Sequence, residues 1–497
     1  MGENMDGIQR WAGNISYAPC PPEEFCGRHE ERNLLRTLLP RAEEHGQAVM
    51  ISGPPGIGKS SLLNWLAYDL QDRPGGSRSL VIRAEIFEPP RMIFSAFRKL
   101  LYDLQVHVVS GWFRDPFGIE YVKEATRYAN DLLEKYAALV EPVGLLPKTG
   151  EEIIGVFAQT PEVGYDRVRE GFWELLQALG RQMVDSGRIA VILLDDAHFA
   201  SRPDRRLLQD IIHDLPPGVL LVFTCRDGGG YEMTDDRVVP VVHLSGMQSH
   251  EIQEMGRRRF DLSPDDATAT LLEETAGDPF SLVACFNTLR NRGLEPSSGN
   301  IRDLLTGGRD PAEIAFAALP GFWQAWAEAL SVLIPPFPLP VMACILGIQE
   351  ADMTLMIEHL QGSSVFRRLP GGGFAFAHSL LQEYCRQNLS ADESVALNAG
   401  AAGCIERSMH LLPMRLHALL SLACHHFNAR DYEKAADLNL ELGLRYYNRE
   451  DYDAALMLTR QAIISAEQIG DSALLAAAER QRDLIQQKMA DPAGTAR

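Results

Sequence analysis

Five short β-rich runs punctuate the first half of the chain: Ala48 to Ser52, Ser79 to Phe87, Ile189 to Leu194, Val219 to Phe223 and Val239 to Leu244. Each is of strand length, and the unbroken apolarity of Ile189 to Leu194 and Val219 to Phe223 predicts strands buried on both faces, as in a parallel sheet. Between them apolar positions recur at spacings of three and four. Leu34, Leu35, Leu38 and Leu39 mark one amphipathic helix and Ser61 to Leu70 a second. Phe94, Phe97, Leu100, Leu101 and Leu104 mark a third, followed by Tyr165 to Val184 and Arg205 to Asp214. Strand alternating with helix predicts an α/β domain. A plain core of this kind needs only a strand and a helix or two between Pro89 and Gly187, so residues 89–187 are an insertion and a place for partner contacts. Beyond Leu244 the pattern is helical, apart from a two-stranded wing expected around Gly371, Gly372 and Gly373. From Ala396 onward every stretch reads as helix.

The first two predicted elements enclose Gly53-Pro54-Pro55-Gly56-Ile57-Gly58-Lys59-Ser60. Strand, glycine loop and helix with the spacing G-x-x-x-x-G-K-[ST] form a phosphate-binding loop, whose backbone N–H groups and helix N-terminus surround a β-phosphate. Lys59 reaches the β- and γ-phosphates, Ser60 holds Mg²⁺ and Ser61 completes the binding set. The third apolar run ends in Asp195 and Asp196 at the C-terminal edge of its strand, where α/β sheets bind ligands. With a phosphate loop upstream this is a Walker B pattern. Asp195 holds Mg²⁺ through water and Asp196 orients or deprotonates the attacking water. The fourth run ends in Thr224-Cys225-Arg226, and an arginine there senses a γ-phosphate. The phosphate loop after the first strand and the acidic strand third fit the P-loop NTPase sheet ordered 5-1-4-3-2.

Several motifs resemble those of the STAND-type ATPases, which carry an Orc-like, AAA-like nucleotide domain. Phe25-Cys26-Gly27-Arg28-His29-Glu30 is similar to their F-x-G-R-x-x-E segment, which lies against the adenine and implies contacts from Gly27 and Arg28. His29 departs from the commoner acidic residue. Gly277-Asp278-Pro279 resembles their G-x-P, whose proline packs near the adenine in a helical lid; Phe280 stands where replication initiators carry an arginine. Leu319 to Leu380 resembles their winged helix, and His378, two residues after Phe376 and two before Leu380, resembles the histidine of their F-x-x-H-x-L, which faces the phosphates and holds the closed state. The resemblance implies an ASCE-class P-loop domain, then an all-α lid, a winged helix and a TPR-like α-solenoid. It also implies ATP or ADP with Mg²⁺, and slow turnover because Asp196 is shorter than the glutamate of many relatives.

The corresponding boundaries are an arm over 1–22, the ATPase domain over 23–245, the lid over 246–305, the winged helix over 306–395, TPR-like helices over 396–489 and a tail over 490–497. Asn428 to Ala436 recurs as Asn448 to Leu456, each copy a turn with a tyrosine opening a helix. Two copies are too few for a free-standing solenoid, so these helices must lean on the winged helix or on a partner.

Composition narrows the function. With 47 Lys and Arg against 67 Asp and Glu, the formal charge of −20 repels phosphate backbones and anionic membranes. The helix from Ala351 to Gln361, which a DNA-reading winged helix would make basic, holds Asp352 and Glu358 and no Lys or Arg. Nucleic acid is therefore not the expected partner. No apolar run escapes proline long enough to span a membrane, and the eight scattered cysteines fit reduced cytoplasmic thiols. The expectation is an ATPase acting as a nucleotide-controlled switch. Its output runs through ATP-dependent homo-oligomerisation or through a protein held by the C-terminal helices. A DNA-remodelling or loader ATPase and a nucleotide-locked scaffold are the alternatives.

Overall fold

The computed structural model describes residues 24–71, 79–87, 93–109, 116–137, 164–227, 239–305, 310–319, 321–353, 365–369, 373–411 and 415–490. The expected arm over 1–22, most of the tail, the middle of the 89–187 insertion and most of the acidic Ala351 to Gln361 helix lie outside them.

Five strands form one sheet in the order β2-β3-β4-β1-β5, which is the expected 5-1-4-3-2 read from the other edge. They are β1 (Gln47–Ser52), β2 (Leu80–Glu85), β3 (Ala190–Asp195), β4 (Val219–Cys225) and β5 (Val241–His243). The pairings of β1 with β5, β2 with β3 and β3 with β4 are parallel. Every residue of β3 and β4 is buried, which is why their sequences show no alternation.

The chain divides into two compact units. The first comprises 1–38, 49–78 and 224–393. It holds most of α1 (His29–Glu44), α2 (Lys59–Gln71), β5 and the helices α7 (Ser249–Phe260), α8 (Thr268–Thr275), α9 (Pro279–Arg292) and α10 (Ser298–Leu305). Next come α11 (Pro311–Ala317), α12 (Gly321–Ser331), α13 (Leu339–Leu346), the antiparallel pair β6 (Phe366–Arg368) and β7 (Phe374–Phe376), and α14 (Ser379–Asn388). Asp278 caps α9 by accepting from the Ser281 N–H at 2.8 Å, with Pro279 in the first turn, where its missing N–H costs nothing. Phe366 and Phe376, 4.8 Å apart, lie beside Trp323 and Phe337 and fasten the small sheet to the helices. Gln382 donates from α14 to the carbonyls of Ser331, the last residue of α12, and of Leu333 just beyond it.

The second unit comprises 39–48, 79–223 and 394–497. Besides β2, β3 and most of β4 it contains α3 (Ser95–Val109), α4 (Pro116–Ala137), α5 (Tyr165–Asp185) and α6 (Arg202–His213). Gly171 lets α4 approach α5, since a Cβ there would lie 2.5 Å from Leu132 Cδ1. The buried Asp204 of α6 accepts from the Phe94 N–H at 3.0 Å and ties the start of α3 to α6.

The C-terminal helices are α15 (Ala391–Ser408), α16 (Arg415–Asn428), α17 (Tyr432–Tyr447), α18 (Tyr452–Ile469) and α19 (Ser472–Ala490). The repeated turns have one geometry: Arg430 and Glu450 both take φ of 61°, just before the aspartate that precedes α17 and α18. Alanines 436, 462, 466, 477 and 478 line the contact of the last three helices. These helices rest on α6. The Arg206 guanidinium is 3.6 Å from Glu450, and that of Arg202 lies 4.8 Å over the Tyr452 ring. Cys26, Cys225, Cys285, Cys385 and Cys424 are buried thiols, but Cys344 and Cys404 are disulfide-bonded. The all-reduced expectation fails at those two, because tertiary packing and not spacing decides pairing.

Candidate active site

The phosphate loop leaves β1 at Gly53 and enters α2 at Lys59. Gly56 and Gly58 have φ of 85° and 98°, a region that a side chain disfavours, so the loop folds as it does only with glycine at these positions. Lys59 is buried, and its ammonium donates to the carbonyls of Gly53 and Pro54 at 2.8 Å each. Pro54 and Pro55 are exposed, Ile57 is buried, and Ser60 and Ser61 are half-buried in the first turn of α2. This is a helix N-terminus with an ammonium beside it, the requirement for an anionic phosphate.

Other parts of the first unit close on the loop. The Arg28 guanidinium donates to the Ile57 carbonyl at 3.2 Å and pairs with Glu31 at 3.3 Å. Gly27 and Arg28 both have positive φ, 69° and 56°, and α7 holds them. The Arg28 N–H donates to Glu251 Oε1 at 2.5 Å and the Gly27 N–H to Glu254 Oε2 at 3.3 Å. Phe25 stacks on Trp65 of α2, with Arg32 over the indole at 4.5 Å. Sequence reasoning missed Glu251. Its signal was the capping box with Gln248, because the carboxylate that caps α7 also takes the Arg28 amide.

Around Gly56 two helix starts converge. A Cβ on Gly56 would lie 3.3 Å from Asp278 Oδ1, 3.3 Å from Phe280 Cβ and 3.5 Å from Leu380 Cδ1. Pro279 is the nearest group to Gly58, with Cγ 4.0 Å from where a Cβ would stand. The Phe280 ring stacks on His378, centroids 4.1 Å apart. His378 caps α14, its Nδ1 accepting from the Leu380 N–H at 3.4 Å. Burial, then the Arg367 and Lys59 cations, push its imidazole down to about 4. The neutral ring therefore carries its proton on Nε2. Arg226 stands half-buried just past β4. The neighbouring Asp227 is 3.4 Å from His243 Nδ1, which also meets Ser52 Oγ at 3.1 Å.

In the second unit Asp195 ends β3, its carboxylate buried. Oδ1 accepts from the Asp196 N–H at 3.2 Å, and Oδ2 is 3.9 Å from the Arg83 guanidinium. Asp196 turns out of the strand with φ of 55°, its carboxylate 3.8 Å from His198 Nδ1. Oxygen donors of this kind suit Mg²⁺, and the loop suits a nucleotide's phosphates.

Residues 24–223 match the AAA ATPase domain family and carry its P-loop fold. No curated protein matches the chain in sequence. Among solved structures it is similar to a signal transduction ATPase with numerous domains (STAND) protein with a tetratricopeptide repeat sensor from Pyrococcus horikoshii. The identity is 14% and the TM-score 0.46, over 94% of this chain and 65% of that one. The chain thus spans about two thirds of that protein's length. Two RuvB variants from Thermotoga maritima are 15% identical, cover 75% of this chain and 99% of their own, and give TM-scores of 0.29 and 0.31. No described helix is long and apolar enough to cross a membrane.

Proposed function

We propose that the protein is an ATP-binding, slowly hydrolysing STAND-like ATPase that works as a nucleotide-controlled switch in the cytoplasm. One observation carries this reading: three separate parts of its unit close on the phosphate loop, Arg28 by a hydrogen bond to Ile57, and Asp278 to Phe280 and Leu380 by filling the space beside Gly56 and Gly58. A nucleotide arriving at Gly53 to Ser61 would alter the loop's contacts with a lid over 246–305 and a winged helix over 306–395. Lys59 exchanges its two loop carbonyls for β- and γ-phosphate oxygens. Gly27, Arg28 and Pro279 flank the base, and His378 and Arg226 respond to the phosphates. Ser60 and Asp195 are the candidate Mg²⁺ ligands, and the ion would offset the charge of the transferred phosphoryl group. Asp196 orients the water. Output passes through assembly of copies or through a protein bound by the TPR-like helices.

Lys59→Ala tests the reading. Titration with a fluorescent ATP analogue should show binding by the native protein and none by the variant, and ATP-dependent assembly should vanish with it. Assembly that survives the substitution would remove the switch.

A further inference from the structure

The turn at Gly27 and Arg28 is shaped by groups far away in sequence. Both residues take positive φ, 69° and 56°, and a residue with a long side chain enters that region only where its surroundings enforce it. Here the enforcement comes from α7. Glu251 is buried, and its two carboxylate oxygens serve different donors. Oε1 accepts from the Arg28 N–H at 2.5 Å and Oε2 from the Gln248 N–H at 2.8 Å. Two amide donors facing one side chain require two acceptor oxygens, which a carboxylate has and a carboxamide lacks. Glu254, three residues on, accepts from the Gly27 N–H at 3.3 Å. A Cβ on Gly27 would lie 2.6 Å from Glu251 Oε1, so the missing side chain lets the carboxylate in.

The side chain of Arg28 carries this geometry to the phosphate loop. Nη2 donates to the Ile57 carbonyl at 3.2 Å in a buried hydrogen bond, while Nη1 pairs with Glu31 at 3.3 Å. Ile57 stands between Gly56 and Gly58, the two most permissive positions of the loop, with φ of 85° and 98°. A glycine-rich loop loses entropy when a ligand orders it, so a bond that holds it beforehand raises affinity. Glu251, the Arg28 backbone, the Arg28 guanidinium and the Ile57 carbonyl thus form one continuous series inside the first unit.

We propose that Glu251 is a positioning residue for phosphate binding, fixing the Arg28 backbone so that the guanidinium braces the phosphate loop. This rests on the loop being the phosphate site of the proposed ATPase. It goes further by making α7 the support of that loop, through a carboxylate that belongs to no nucleotide-binding motif of the sequence.

The experiment is direct titration with a fluorescent ADP analogue, and its displacement by inorganic tripolyphosphate, which has phosphates but no base. Glu251→Gln should weaken both ligands by about tenfold, since one backbone amide then faces an NH₂ group and the brace loosens. Arg28→Met, which leaves the α7 cap intact, should weaken both to the same degree. Adding Glu251→Gln to Arg28→Met should cause no further loss of affinity, because the two act in series, although it should still lower the melting temperature without ligand. A merely structural Glu251 would lower the melting temperature and leave both affinities native. That result, or losses that add in the double variant, overturns the proposal. So does a loss confined to the ADP analogue, which would put the effect at the base and not at the loop. Lys59→Ala separates this from failure of the underlying reading. If the native protein binds neither ligand, or Lys59→Ala binds both as the native protein does, the loop is not the phosphate site and both fall.

Discussion

The imidazole of His378 is kept neutral by where it stands. It is stacked on Phe280, hydrogen-bonded at Nδ1 by the Leu380 amide and close enough to Arg367 and Lys59 to feel both cations. A proton on this ring would place a further positive charge beside Lys59. Its folded value is about 4 against 6.5 for an ordinary histidine. Above pH 6.5 both folded and unfolded forms are neutral, so His378 adds no pH dependence there. Between 6.5 and about 4 the unfolded chain takes a proton that the folded chain refuses, and stability falls as pH falls. Over the first 1.5 units, down to about pH 5, the loss is about 2 kcal/mol. Denaturant midpoints at neutral pH and at about pH 5 should therefore differ more in the native protein than in His378→Gln. Equal pH dependence in the two proteins would contradict a neutral His378. The residue that caps α14 also stacks on Phe280 at the start of α9, so a charge on it would be felt by both helix starts.

Helix α6 links more elements than its length suggests. Ser201 caps it, accepting from the Asp204 N–H at 3.2 Å, while Asp204 reaches to the Phe94 amide at the head of α3. On its other turns Arg206 covers the Tyr165 ring at 3.9 Å and Tyr165 donates to Asp210 at 2.6 Å, joining α5. Arg202 and Arg206 also meet the repeat turn at Tyr452 and Glu450. These contacts differ in weight. An exposed ion pair and cation–π contact contribute about 0.5–1 kcal/mol each, whereas a buried amide left without an acceptor costs about 1–3 kcal/mol. Asp204→Ala should thus lower the thermal midpoint clearly, and Arg206→Ala should lower it less; the reverse order in a melting experiment would show that the repeat contact and not the Phe94 anchor governs α6. The contrast between these elements also marks what the sequence could convey. The phosphate loop was legible because its chemistry demands glycines and a lysine at fixed local spacing, and the buried strands because their apolar runs are unbroken. The turn repeat was legible as Asn428 to Ala436 recurring at Asn448 to Leu456. Its resting place on α6 was not, since Arg206 and Glu450 are distant in sequence and neither belongs to a motif. The same holds for Glu251 against Arg28 and for Arg83 against Asp195: pairings made by tertiary approach leave no trace in spacing.

At the scale of the whole molecule, net charge decides how assembly should respond to its surroundings. Copies that each carry a formal charge of −20 repel one another at long range. That repulsion is screened beyond about 8 Å at physiological ionic strength, so contact between copies must come from short-range packing and gains from added salt. Nucleic-acid binding has the opposite dependence, because it is driven by release of counterions and weakens steeply as salt rises. Light scattering coupled to size-exclusion chromatography separates the two. Protein loaded with ADP should elute as a smaller species than protein loaded with a non-hydrolysable ATP analogue, and the larger species should persist or grow when salt is raised. A larger species that dissolves with salt would mean that complementary charged faces hold the copies together. If size does not change between nucleotides at any salt, output does not run through self-assembly. The switch reading would then depend on a protein captured by α15 to α19, and the turn at Glu450 and Tyr452 would be the first place to look for nucleotide-dependent exposure, because it is where those helices meet α6.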